Sequence, residues 1–214
     1  WREALRFLKL PFVLVLWIVA LIDSFVHNCF FNWAGVFLQS DKVGIPGNWI
    51  MPVMSIGQIA EILTMLVLGA ALKRLGWRTT MIIGILGHAA RFAVFAFFPQ
   101  FPALVVAVNV LHGIAYAFFF ATVYIFVDEF FPKDARASAQ GLFNLQILGF
   151  GPFVANTLGP ILISQTFNHG GLVDFRGLFL VPLISAIGAA IALALLFHPP
   201  DKAKTRVGVP VTSH

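Results

Sequence analysis

Runs of about twenty apolar residues recur along this chain, each long enough for an α-helix to cross the roughly 30 Å hydrocarbon core of a bilayer. Six of them lie at roughly 10–38, 50–72, 79–98, 102–127, 138–165 and 177–198. With 59% hydrophobic and only 11% charged residues, and a mean hydropathy of +0.91, the chain lies far outside the usage of a soluble domain. The expected fold is all-α: an integral membrane bundle of six transmembrane helices within residues 1–198, followed by a short polar tail at 199–214. Several runs exceed the minimum length, and Pro52, Pro152, Pro160 and Pro182 fall in or near them, so tilted or kinked helices are expected.

A net charge of +5 could suggest nucleic acid, but that needs basic residues gathered on one solvated face with aromatics between them. Here they sit in short clusters between apolar runs, where they report topology instead. Arg2, Arg6, Lys9, Lys73, Arg74, Arg78, Lys133, Arg136, Lys202, Lys204 and Arg206 fall on one set of alternate segments, and only Lys42 and Arg176 on the other. The positive-inside rule then puts both ends of the chain in the cytoplasm. Cys29 is the single cysteine, which excludes an intrachain disulfide. The chain opens on Trp1 with no secretory leader, so it is expected to begin partway through a longer gene product.

Polar groups inside the spans are the candidates for function, because hydrocarbon makes them expensive: roughly 2.5–3.5 kcal/mol for an ionised side chain at a helix centre. Asp23, His27, Asn28 and Asn32 lie in the first span, Gln58 and Glu61 in the second, His88 and Arg91 in the third. Asn109, His112 and Tyr116 lie in the fourth, and Asn144, Gln146 and Asn156 in the fifth. Gln58 and Glu61 are three apart and share a helix face; Asn28 with Asn32, and His112 with Tyr116, are four apart. Three helices thus carry polar stripes. The alternative is interhelical glue, in which such groups bond only one another. Glu61, Arg91 and Asp23 are the candidates for proton coupling or ion pairing, with an Arg91–Glu61 pair the expected arrangement and snorkelling of Arg91 the other.

Enzymatic readings find little support. No H-E-x-x-H metal spacing and no G-x-S-x-G elbow occur, and "GFGPF" at 149–153 lacks the third glycine and the lysine of nucleotide-binding loops. Neither metal nor cofactor is expected.

"GAALKRLGWR" at 69–78 resembles the loop between the second and third helices of a major facilitator superfamily half, G-x-x-x-D-R-x-G-R-R, with Lys73 and Trp77 departing from it. Together with "MSIGQIAE" (54–61), "RFAVFAF" (91–97), "ARASAQGLF" (135–143) and the ending "VPVTSH", it resembles the carboxyl-terminal half of bacterial nucleoside:proton symporters. The resemblance implies one half of a twelve-helix fold in the bacterial inner membrane, working against an amino-terminal six-helix half. Nucleoside and proton would be taken up together by alternating access. It also implies that Asn28, Gln58 and Glu61 contact the nucleoside; beside them, Tyr116 with His112 is expected to form an aromatic wall, and Glu61 is expected to titrate as well. Phe25, His112, Tyr116 and Ala117 depart from the family's pattern, which bears on the solute: a sugar or other small polar solute, or a non-transporting scaffold, are the rival readings.

Overall fold

The structure is a computed structural model that describes residues 2–199, with the side chains of residues 2–4, 163 and 164 outside that description. Apart from residue 199, the tail expected at 199–214 lies outside the described residues. A short helix α1 (Arg2–Phe7) leads into α2 (Pro11–Gln39), with Pro11 at the first helical position, where its missing N–H costs nothing. Next comes α3 (Gly47–Phe97), then α4 (Pro102–Phe130). The run α5 passes through Arg136–Asn144, Leu145–Phe150, Gly151–Ile161 and Leu162–Thr166. A two-residue hairpin, β1 (Asn168–His169) against β2 (Leu172–Val173), precedes the last helix, α6 (Phe175–Leu196). Of these, α2, α3, α4 and α6 are long and apolar enough to cross a membrane.

The 51 residues of α3 would make a straight rod of about 76 Å, more than twice the hydrocarbon thickness. The rod breaks at one residue. Gly76 alone leaves helical geometry, with φ at 72°, a left-handed value that glycine adopts without a Cβ clash. Where the sequence suggests a loop over 73–78, helical bonding continues on both sides of this hinge, and the Thr80 hydroxyl donates to the Gly76 carbonyl at 2.8 Å. Both arms then reach the same stretch of α4. A Cβ on Gly57, in the first arm, would sit 2.9 Å from the His112 Cβ, and one on Gly84, in the second arm, 2.7 Å from the Phe119 nitrogen. The chain therefore folds back at Gly76.

Phenylalanine fills the junction of α2, the second arm of α3, and α6. Phe37 meets Phe95 at 5.0 Å and Phe179 at 4.8 Å between ring centres, and Phe92 meets Phe179 at 5.7 Å. Large apolar residues also cover the outside: Met51, Leu66, Leu148 and Leu195 are each about two-thirds or more exposed, at 71%, 78%, 68% and 67%. Water would not tolerate so much of this surface, whereas a membrane solvates it.

Three stretches widen from α-helical to π-helical bonding: Tyr116–Ala121 in α4, and Leu145–Phe150 and Leu162–Thr166 in α5. Such widenings free carbonyls for other partners. Ser24 of α2 uses one of them, donating from its hydroxyl to the Ile147 carbonyl at 2.6 Å.

Candidate functional site

The polar residues of α2, α3 and α4 separate into a buried knot and a half-open rim. The knot centres on Arg91, in the second arm of α3, whose side chain is wholly buried. One terminal nitrogen donates to His112 Nδ1 at 2.7 Å and the other to His88 Nδ1 at 3.1 Å. The guanidinium lies 4.0 Å from the centre of the Phe30 ring, a cation–π contact in a dry setting. Arginine can only donate, so both Nδ1 atoms must accept, which puts each ring's proton on Nε2. His88 Nε2–H then faces Asp23 Oδ2 at 3.7 Å across the α2–α3 contact. Asp23 is fully buried, and neither of its oxygens has a hydrogen-bond partner among the described residues.

His27 closes the knot from α2. Its ring stacks on His112 at 4.9 Å and lies 5.5 Å from His88 and 5.7 Å from Tyr116. The expected Arg91–Glu61 ion pair is not formed: among the described residues the ion pairs recorded are His88–Asp23 and Arg136–Asp128. Arg91 is engaged elsewhere: its terminal nitrogens are taken by His112 and His88, and His112 packs against Gly57 of the first arm.

The rim is where α4 meets the first arm. Gly113 lets the two backbones approach so closely that a Cβ there would overlap the Ala60–Glu61 peptide and sit 2.7 Å from Glu61 Cα. This contact sets Glu61 beside α4, and the Tyr116 phenol is within electrostatic reach of its carboxylate. Glu61 and Tyr116 are half-buried and Gln58 is exposed, and none of the three has a side-chain hydrogen bond recorded among the described residues. Asn28 is also half-buried. Its amide nitrogen donates to the Ser24 carbonyl at 2.8 Å, which leaves its oxygen for an outside donor. His112 is buried and belongs to the knot rather than to the open rim; His27 is the ring that links it to Tyr116.

Other asparagines of the spans are engaged between helices or within one. Asn32 donates to Asn156 at 2.9 Å, joining α2 to α5, and Tyr124 donates to Asn144 at 2.8 Å, joining α4 to α5. Asn109 bonds the Val105 and Val106 carbonyls of its own helix. A cleft of about 1490 Å³ opens at the end of α2, lined by Asn32, Gln39, Asp41, Lys42, His169 and Arg176 among others. Gln58, Glu61 and Tyr116 do not line it; Phe31 and Asn32, which do, lie about one turn along α2 from His27 and Asn28. His88 and His27 are the members of the knot that the Glu61–Arg91 reading misses. The three-residue spacing of His88 and Arg91 was the available signal.

Residues 1–202 match a family model described as Nucleoside H+ symporter. The Nucleoside permease NupG of Escherichia coli (strain K12) is 31% identical over 155 residues, 71% of this chain and 36% of the permease. The Xanthosine permease of the same organism is 30% identical over 164 residues, 72% of this chain and 38% of the permease. Crystal structures of the nucleoside transporter NupG, as its D323A mutant and without that substitution, superpose with TM-scores of 0.80 and 0.78 at 24% identity. They cover 92% of this chain and 51% of the solved chain, a likeness of fold. This chain therefore spans less than two-fifths of the curated relatives it matches and about half of the solved ones.

Proposed function

This membrane-embedded chain belongs to the nucleoside H+ symporter family, and from that premise we propose that it is one six-helix half of a twelve-helix major facilitator transporter. The whole protein takes up nucleosides with protons across the bacterial inner membrane, rocking this half against an amino-terminal one with both ends of this segment cytoplasmic. The observation that carries the reading is the rim. Glu61, Gln58 and Tyr116 converge at the Gly57–Gly113 crossing with their polar ends unpartnered, on a surface where a solute between two halves would lie.

In this reading Glu61 accepts hydrogen bonds from ribose hydroxyls or a base amine, and Gln58 both donates and accepts. Asn28 offers its free oxygen from α2. Tyr116 presents a ring face on which a base can stack, and His112, held in place by Arg91, belongs to the same aromatic wall through the His27 ring that meets both. Glu61 and Asp23 are the acids available to carry the proton. Phe25 and Ala117, which depart from the family's pattern, are the observation favouring a second reading, a different small polar solute such as a sugar.

Uptake of labelled uridine decides between them, in cells without their own nucleoside transporters that express the full-length gene. Gradient-dependent uptake that excess adenosine suppresses, and excess sugar does not, is the expected result. A protein that reaches the membrane and moves no uridine would overturn the nucleoside assignment.

A further inference from the structure

Resting on the transport reading above, we propose that the coupling proton binds at Asp23 against His88, with Arg91 as its fixed counter-charge, and that Glu61 serves the solute instead. The site is a buried carboxylate with two unpartnered oxygens, 3.7 Å from the nearest basic nitrogen, and within electrostatic reach of Arg91. Arg91 cannot leave easily: His88, His112 and the Phe30 face hold it on three sides. The Arg91–His88 bond fixes the Nε2–H tautomer of His88, so its donor nitrogen faces the Asp23 oxygen that would lose its charge on protonation. Among the described residues, its titratable surroundings come from three helices, with Tyr116 beyond His27. His27 faces the site from α2, His88 and Arg91 from α3, and His112 from α4. The titratable side chains of the α5 and α6 ranges are Arg136 and Arg176, each at a helix end.

The knot touches both solute-facing helices. Asp23 lies on α2, five residues before Asn28, and His112 lies against Gly57, the neighbour of Gln58. A proton on Asp23 cancels its attraction to Arg91 and loosens α2 from the second arm of α3. The position of Asn28 relative to the Gln58–Glu61 face then depends on the protonation of Asp23. By linkage, nucleoside binding must change proton binding by the same factor. Glu61 lacks this geometry: it is half-buried, beyond an ion pair with Arg91, and free at the rim.

The test compares two rates in proteoliposomes of the full-length protein: accumulation of labelled uridine down an imposed proton gradient, and uridine exchange with no gradient. Asp23→Asn keeps the shape of the side chain and removes its titration. The expected result is a fall of about tenfold or more in the ratio of accumulation to exchange, within the range typical of coupled sites. A ratio equal to that of the wild type overturns the proposal and leaves the transport reading standing. A wild type that moves no uridine in either assay overturns both. If the asparagine variant does not assemble, Asp23→Glu decides: it retains an acid on a longer arm, so the pH midpoint of accumulation should move, and an unmoved midpoint overturns the proposal.

Discussion

At the scale of single residues, Arg91 bears the most. A wholly buried guanidinium survives only because two histidine nitrogens and an aromatic face replace its water, with the Asp23 carboxylate close by. Arg91→Leu removes the donor from two buried rings and leaves Asp23 without its counter-charge. The expected loss is about 3–5 kcal/mol, read as a lower midpoint for thermal unfolding of the full-length protein in detergent. Adding Asp23→Leu to that variant should restore part of the loss, because both charges are then gone. A single Arg91→Leu variant as stable as the wild type would show that the knot does not hold the helices. The sequence made both groups visible as costly intramembrane charges, but not their partners. Glu61 looks like the natural mate for Arg91 by charge alone, but in the structure the Arg91 donors go to His112 and His88 instead.

At the scale of elements, glycines set the crossings. Gly113 allows α4 to lie against the Glu61 backbone, and Gly57 receives the His112 side chain, so one tight seam fixes both the rim and the back of the knot. Gly113→Ala must push these helices apart, with an expected cost of about 1–3 kcal/mol and a loss of uridine uptake beyond any loss of protein in the membrane. Gly69, in the same first arm, has nothing within 4 Å of where a Cβ would stand. Gly69→Ala should therefore change stability by no more than about 1 kcal/mol, in the favourable direction given by helix propensity, and leave uptake as it was. Equal effects at the two positions would refute the seam. Length and hydropathy are local properties, and they are what make α2, α3, α4 and α6 long and apolar enough to cross a membrane. They do not reveal the hinge at Gly76 or the π-helical stretches. Both are matters of backbone bonding that hydropathy does not report: the basic cluster around Gly76 reads as a loop, although all its residues but one stay helical.

At the scale of the whole molecule, orientation follows from charge rather than packing. Eleven basic residues on one set of segments against two on the other is a strong bias, and translocation of lysine- and arginine-rich loops is what the membrane resists. In the structure the loop after α2 carries Lys42, and the hinge between the arms of α3 is flanked by Lys73, Arg74 and Arg78. These two places must lie on opposite sides of the bilayer if the first arm crosses it once. Full-length protein with Cys29→Ala, and any other cysteine removed, provides the background for Lys42→Cys and Arg74→Cys. A maleimide that cannot cross membranes should label the cysteine at 42 in intact cells, and the one at 74 only after the membrane is opened. The reverse pattern would invert the topology, turning the cleft beside Asp41 and Arg176 toward the cytoplasm. Labelling of both in intact cells would mean that the first arm does not span the bilayer, and the six-helix half would have to be redrawn.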